Sequence, residues 1–202
     1  MGRKKGKQKI AEFEMIEILW HGRGGQGAFS AAKLLGAAYS LKEGNYSLAF
    51  PSFGPERRGA PILAFTKLDG KKIGDRSQIK KADFSVYLDD TLFTSESVKE
   101  LKKGGKILIN TKKTADEFSS GGFSGVFSGD YEIVPFDGNA IAQEILKMPV
   151  SNTVMLALLG KVSGIVSENE LIESVKEYMG EKIAAKNALL ISEVFKRLGE
   201  NK

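Results

Sequence analysis

Apolar residues come in short blocks separated by glycine, proline and charge, and the blocks switch between strand and helix periods along the chain. Ile16-Glu17-Ile18-Leu19-Trp20 is an apolar run closed by a glycine cluster, the pattern of a buried strand. Ala28–Ser40, rich in Ala and Leu, puts Phe29, Ala32, Leu35 and Gly36 on one helical face. Strand, glycine turn and helix therefore form one unit. Tyr46–Phe50 reads as a second strand, stopped by Pro51. Ile62–Lys67 and Lys71–Gly74 flank Asp69-Gly70, a turn pair that predicts an antiparallel hairpin. Phe84–Leu88, Lys106–Ile109 and Tyr131–Phe136 are further strands, ending at Asp89-Asp90-Thr91, Asn110-Thr111 and Asp137-Gly138-Asn139. Ser95–Lys103 reads as a short helix stopped by Gly104-Gly105, and the serine- and glycine-rich Ser119–Gly129 as a loop.

The remainder is helical, over residues 140–198. Ala140–Lys147 is one helix, and Asn152 can cap the next, whose Val154–Leu159 is apolar on every side and hence buried. Ser167 and Glu170 make a capping box before Leu171–Met179. The last helix carries Ile183, Leu190, Ile191, Val194, Phe195 and Leu198 on one stripe. Strands alternating with helices imply an α/β three-layer sandwich with a mainly parallel, mixed sheet, one antiparallel hairpin and a C-terminal helical segment. No internal repeat or second core interrupts residues 13–202, which read as a single domain behind a tail at 1–12.

That tail holds the charge. The net charge is +5, and Arg3, Lys4, Lys5, Lys7 and Lys9 stand in the first nine residues with no acid among them, so the body is electrically balanced. Such a run is a solvated, disordered arm, and the body lacks the basic face of a nucleic-acid binder. No apolar run approaches the ~18 residues of a membrane helix, and the N-terminus lacks a signal-peptide apolar stretch, so the expected location is the cytoplasm. There is no cysteine and one histidine, His21. Disulfides, Cys-ligated iron–sulfur clusters and thiolate zinc sites are excluded within this chain, and no metal site is expected. A Cys–His or Ser–His catalytic pair would have to use His21, which abuts the first strand and reads as a packed or backbone-bonded histidine.

His21-Gly22-Arg23-Gly24-Gly25-Gln26-Gly27 lies between the first strand and the first helix, with Gly22, Gly24 and Gly27 at G-x-G-x-x-G spacing. Bare amides at a helix N-terminus attract anions. The same glycines also suit a tight strand-to-helix turn with no ligand. Against a dinucleotide, the second strand ends Leu48-Ala49-Phe50-Pro51 with no acid for the ribose hydroxyls, and Arg23 is bulky beside a pyrophosphate. No Gly-Lys-Ser/Thr follows, so this is not a P-loop. Ser52-Phe53-Gly54-Pro55-Glu56-Arg57-Arg58-Gly59-Ala60-Pro61 is a proline-bounded loop with two adjacent arginines, donors suited to phosphate or carboxylate, with Glu56 placed to orient one. An interfacial salt-bridge loop would look the same. Asp89, Asp90, Asn110 and Thr111 end strands at the edge where α/β folds bind ligands, though adjacent carboxylates there also serve as helix caps or solvated charge.

Taken in order, Gly22–Gly27, Ala49–Pro61, Arg76-Ser77-Gln78-Ile79, Leu88–Leu92, Asn110-Thr111 and Asn152-Thr153-Val154-Met155-Leu156 resemble the gamma subunit of archaeal and bacterial pyruvate and branched-chain 2-oxoacid:ferredoxin oxidoreductases, from about Ile16 to Leu198. The resemblance implies a subunit of a complex that decarboxylates a 2-oxoacid, pyruvate above all, passes the acyl group to CoA and reduces ferredoxin. It implies alpha, beta and delta-type partner subunits. Thiamine diphosphate, Mg and iron–sulfur clusters belong on those chains, so this one has no catalytic residue and is inactive alone. It implies that the glycine loop, the arginine loop and Asn152 face CoA or partner subunits. The chain agrees in having no cysteine and no thiamine motif, since Asp137-Gly138-Asn139 lacks the Gly-Asp-Gly start. A free-standing nucleotide-binding oxidoreductase and a purely structural assembly module are the rival readings.

Overall fold

The computed structural model describes residues 14–52, 57–120 and 131–200. The basic tail and most of the serine–glycine segment therefore lie outside the described residues. Six strands form one sheet: β1 (Ile16–Arg23), β2 (Tyr46–Pro51), β3 (Pro61–Asp69), β4 (Ala82–Tyr87), β5 (Leu101–Asn110) and β6 (Glu132–Phe136), in the spatial order β2-β3-β1-β4-β5-β6. β1, β4, β5 and β6 run parallel, and β3 is antiparallel to both β1 and β2. Both outer strands carry a proline, Pro51 at the end of β2 and Pro135 within β6.

The predicted α/β sandwich is present, with unequal outer layers. One face of the sheet carries α1 (Ala28–Tyr39), α3 (Gly138–Leu146), α4 (Asn152–Ser163), α5 (Glu168–Tyr178) and α6 (Glu181–Glu200). Ile18, Trp20, Ala64, Leu68, Val86 and Leu108 from the strands meet them in one core. Val154 to Leu159 are all fully buried at its centre, as their all-round apolar pattern requires. The Trp20 indole N–H donates to Thr66 Oγ1 at 3.0 Å, and the Thr66 hydroxyl donates to the Ala32 carbonyl at 3.1 Å, tying β1, β3 and α1 together. The other face is covered thinly, by 3-10 turns at Asp90–Leu92 and Ser95–Glu100, the short α2 (Ala115–Ser120) and the segment after Gly70.

Several local expectations change. β1 continues through His21 and Gly22 to Arg23, because pairing to β3 runs on past His21, the last residue paired to β4, and outweighs the glycine. The antiparallel hairpin is made by β2 and β3, and Lys71–Gly74 is not a strand. Lys67 on β3 is buried, and its ammonium reaches Asp75 at 2.5 Å; with Ile79 packed on Leu19 and Phe65, this draws the chain across the sheet face. A buried charge must be paired, and that requirement overrides the local turn signal. Ser95–Lys103 is not an α-helix: a 3-10 turn ends at Glu100, and Gly104-Gly105 lie inside β5, beside a register shift against β4. A Cβ on Gly105 would sit 2.9 Å from the Lys102 carbonyl oxygen, so the glycine serves a bulge. α2 extends through Ser119 and Ser120, where a loop is expected. Asn152 is the first residue of α4, and Ser151 occupies the cap position. Ile183 is 59% exposed, while Ala184 and Asn187 join Leu190, Ile191 and Val194 on the buried stripe of α6. The Ser167–Glu170 capping box is formed. Among the described residues no helix is long and apolar enough to cross a membrane, and no cluster of three or more His, Cys, Asp or Glu is placed to hold a metal.

Candidate functional site

Chain leaving β1 turns one way through α1 to β2, while β4 lies on β1's other side. The C-terminal ends of β1 and β4 thus flank a topological switch point, where open α/β sheets form their crevices. The predicted loops meet there. Gly24 forms a parallel bridge to Arg58, with its N–H donating to the Ala60 carbonyl at 2.8 Å and its carbonyl accepting the Gly59 N–H at 3.0 Å. A Cβ on Gly24 would lie 2.3 Å from the Arg57 carbonyl oxygen. Only glycine allows the glycine loop and the arginine loop to lie this close.

Arg23 locks the junction. Its Nε donates to Asp89 Oδ2 at 2.8 Å, Nη2 to Thr91 Oγ1 at 2.8 Å and Nη1 to the Gly59 carbonyl at 3.2 Å. Gln26 folds back over the turn: its Oε1 accepts the Arg23 N–H at 2.7 Å and its Nε2 reaches Asp89 Oδ2 at 3.3 Å. Burial works to raise the Asp89 carboxyl, but donors from Thr91, Arg23 and Gln26 outweigh it and hold the group below the usual carboxylate range. Asp89 therefore stays ionised, consumed by Arg23 and by the 3-10 turn it caps. Arg57 and Arg58 are exposed, and among the described residues neither is held in an ion pair. Ser52 starts the loop, its N–H on the Leu63 carbonyl at 2.8 Å. Phe53, Gly54 and Glu56 lie outside the described residues.

Behind the switch point Asn110 is a buried junction. Its Nδ2 lies 2.9 Å from the Leu88 carbonyl, 3.0 Å from Ser151 Oγ and 3.2 Å from Asn139 Oδ1, while its Oδ1 accepts the Gly138 and Asn139 N–H groups at 3.0 and 3.3 Å. It couples the ends of β4 and β5 to the first turns of α3 and α4. The Thr111 hydroxyl donates to Asp90 Oδ2 at 2.7 Å, so Asp90 is also engaged. Asn152 lies over the glycine turn, with Nδ2 3.4 Å from the Gly27 carbonyl; Gly27 caps α1 at φ 82°, and a Cβ there would come within 2.5 Å of that amide. Gly22 is enclosed by Ala28 and Leu88, and Gly25 is open, at φ 95°.

Gly25, Gln26, Asp89, Asp90 and Asn110 line a cavity of about 380 Å³, joined by Asn139, Pro149, Val150 and Ser151. The last four are absent from the residues singled out in the sequence. Asn139 had a signal in its strand-end position, but Pro149–Ser151 enter only because α4 packs beneath the switch point. The arrangement offers α1's first turn with amide and hydroxyl groups, and the exposed Arg57 and Arg58 stand on the adjoining loop, outside the cavity lining. Asp89 is paired with Arg23 and Asp90 accepts the Thr111 hydroxyl, which suits the cavity to a polar chain.

A model of the family described as pyruvate ferredoxin/flavodoxin oxidoreductase matches residues 17–196. The pyruvate/ketoisovalerate oxidoreductases common subunit gamma of Thermococcus litoralis is 41% identical over 184 residues, covering 91% of this chain and 97% of that one. Pyruvate synthase subunit PorC of Methanothermobacter thermautotrophicus is 43% identical over 175 residues, covering 86% and 91%. The crystal structure of the pyruvate oxidoreductase subunit PORC from Thermotoga maritima superposes with a TM-score of 0.75 at 30% identity, over 90% of this chain and 96% of that chain.

Proposed function

This chain belongs to the pyruvate ferredoxin/flavodoxin oxidoreductase family as a gamma subunit, and on that premise we propose that its arginine loop holds CoA for acyl transfer within the assembled 2-oxoacid:ferredoxin oxidoreductase. Pyruvate is the 2-oxoacid we assign, following the pyruvate-acting relatives. Alpha, beta and delta-type subunits carry thiamine diphosphate, Mg and the iron–sulfur clusters, and the complex works in the cytoplasm. With no cysteine and a single histidine, this chain's part is binding and positioning.

The observation that carries the reading is the Gly24–Arg58 bridge, which fixes Arg57 and Arg58 beside the α1 N-terminus. CoA is a polyanion, and guanidinium groups are the natural partners of its phosphates. A loop already pinned by two backbone bonds and by Arg23 loses less freedom when ligand arrives. Because Asp89 is spent on Arg23, the nearby carboxylate does not repel the phosphates at full strength.

The test is Arg57→Ala and Arg58→Ala, made separately in the complete complex. Each charge-assisted bond contributes on the order of 1.5–3 kcal/mol, so the CoA KM should rise roughly ten- to hundredfold. The 2-oxoacid KM should hold. Intact assembly with an unchanged CoA KM in both variants refutes the clamp, and loss of subunits on gel filtration assigns the loop to the interface.

A further inference from the structure

The thinly covered face of the sheet holds a polar group that the CoA reading leaves unused. His21 projects there from β1 and is 8% exposed. Its ring stacks on Tyr87, centroids 4.0 Å apart and 6° from parallel. Its Nε2 lies 3.1 Å from Glu100 Oε2, and both atoms are enclosed without an aligned hydrogen bond. An enclosed carboxylate oxygen against an enclosed ring nitrogen is tolerated when that nitrogen carries a proton. The ring's other nitrogen then faces the solute. Among the described residues Nδ1 has no hydrogen-bond partner, and it is not one of the enclosed unpaired polar atoms.

Beside the ring lies a cavity of about 350 Å³, lined by His21, Ser52, Pro61, Ile62, Leu63 and Leu92. That volume lies within the ordinary range for a small-molecule site. Ser52 Oγ accepts the Leu63 N–H at 3.3 Å, which leaves its own proton to donate. A ring nitrogen, a hydroxyl donor and four apolar side chains therefore line one half-open space.

We propose that this cavity is a second ligand site, taking the anion of a small aliphatic carboxylic acid. One carboxylate oxygen meets the Nδ1–H of the imidazolium, the other meets the Ser52 hydroxyl, and the hydrocarbon part rests on Pro61, Ile62, Leu63 and Leu92. The charged form of His21 makes a carboxylate the better ligand than a neutral amide of the same shape. Glu100 and Tyr87 are the titratable side chains packed against the ring; the other lining residues, Ser52, Pro61, Ile62, Leu63 and Leu92, add none. Glu100 balances the imidazolium. Burial pushes the Tyr87 phenol up to about 12, so it stays neutral.

The chain's one histidine gives just one pair of imidazole carbon–proton NMR signals, from Cε1 and Cδ2, which makes the test direct in the full-length protein. Isobutyrate is titrated at pH 6 and pH 8, with isobutyramide as the neutral control. The expected result is a saturable shift, tighter at pH 6 than at pH 8, because the carboxylate is taken up together with the ring proton it bonds to. Isobutyramide should bind at least roughly tenfold more weakly, and Ser52→Ala should weaken isobutyrate to a similar degree. Leu92→Trp, which fills the space, should abolish the shift. Arg57→Ala should leave it intact, separating this site from the CoA clamp. No saturable shift at either pH, equal binding of amide and acid, or full binding by both Ser52→Ala and Leu92→Trp overturns the proposal.

Discussion

Replacing Gly24 by alanine tests the junction of the two loops at its tightest point. The new Cβ would stand 2.3 Å from the Arg57 carbonyl oxygen, and real Cβ atoms essentially never come closer than 3.0 Å, so the turn must retreat by at least about 0.7 Å. That retreat stretches the bonds from Gly24 N–H to Ala60 and from Gly59 N–H to Gly24, now 2.8 and 3.0 Å, to or past the limit of useful geometry. Two backbone bonds are worth about 0.5–1.5 kcal/mol each, so stability should fall by about 1–3 kcal/mol. Gly25→Ala is the control. Gly25 has φ 95° and no neighbour within 4 Å, so alanine there strains the backbone by roughly 1–2 kcal/mol without pushing the loops apart. The two variants should lose similar stability, and other measurements separate them. In Gly24→Ala the Gly24 and Gly59 amides should exchange faster with solvent and the CoA KM of the complex should rise roughly tenfold, as the pre-set arginines are released. In Gly25→Ala both amides should stay protected. If Gly24→Ala keeps wild-type exchange at both amides and a wild-type CoA KM, the close approach is not what holds the arginines.

Asn110→Ala removes the shared partner of Leu88, Ser151, Gly138 and Asn139 and should lower stability by about 3 kcal/mol, read as a lower urea midpoint with unchanged slope. Asp75→Asn should lower Tm at pH 7, because it leaves the buried Lys67 ammonium with only Glu17, 4.0 Å away. The Lys67 contact, helped by Ser77, holds the Asp75 carboxyl well below the usual range, so its contribution is complete above the ordinary carboxylate value of about 4 and is lost as pH falls towards the folded one. The Tm gap between wild type and variant should therefore be constant from neutral pH to about pH 5 and narrow below about pH 4; a gap that widens in acid would refute the pairing. The purified chain alone should show no visible absorbance, since it has no cysteine to ligate a cluster.

Most of the sheet was legible because its central strands are buried on both faces and stand out as apolar runs. The helices of the thick layer were legible because they carry a full apolar stripe or, in α4, no polar face at all. What failed was governed by contacts distant in sequence. Asp69-Gly70 is a sound local turn signal, yet Lys67 needs Asp75 and Ile79 finds Leu19 and Phe65, so no strand follows. Gly104-Gly105 looked like a helix stop and is a bulge inside β5, set by the backbone of β4. At the site, the glycine loop, Asp89 and Asn110 were legible from their strand-end positions. That Gly24 touches Arg57, or that Arg23 reaches Asp89, was not, since residues about 33 and 66 positions apart meet only after the sheet has formed.

Pro51 and Pro135, noted above on the two outer strands, bear on how this subunit waits for its partners. A free strand margin presents unpaired N–H groups that recruit other strands. Each proline deletes one such donor and fixes φ, interrupting any ladder that would start on that margin. Newly made chains therefore cannot readily zip together through their sheets before sister subunits arrive. What stays available for association is the loop rim at the strand ends and the outer surface of the helices, so docking there leaves the sheet itself untouched.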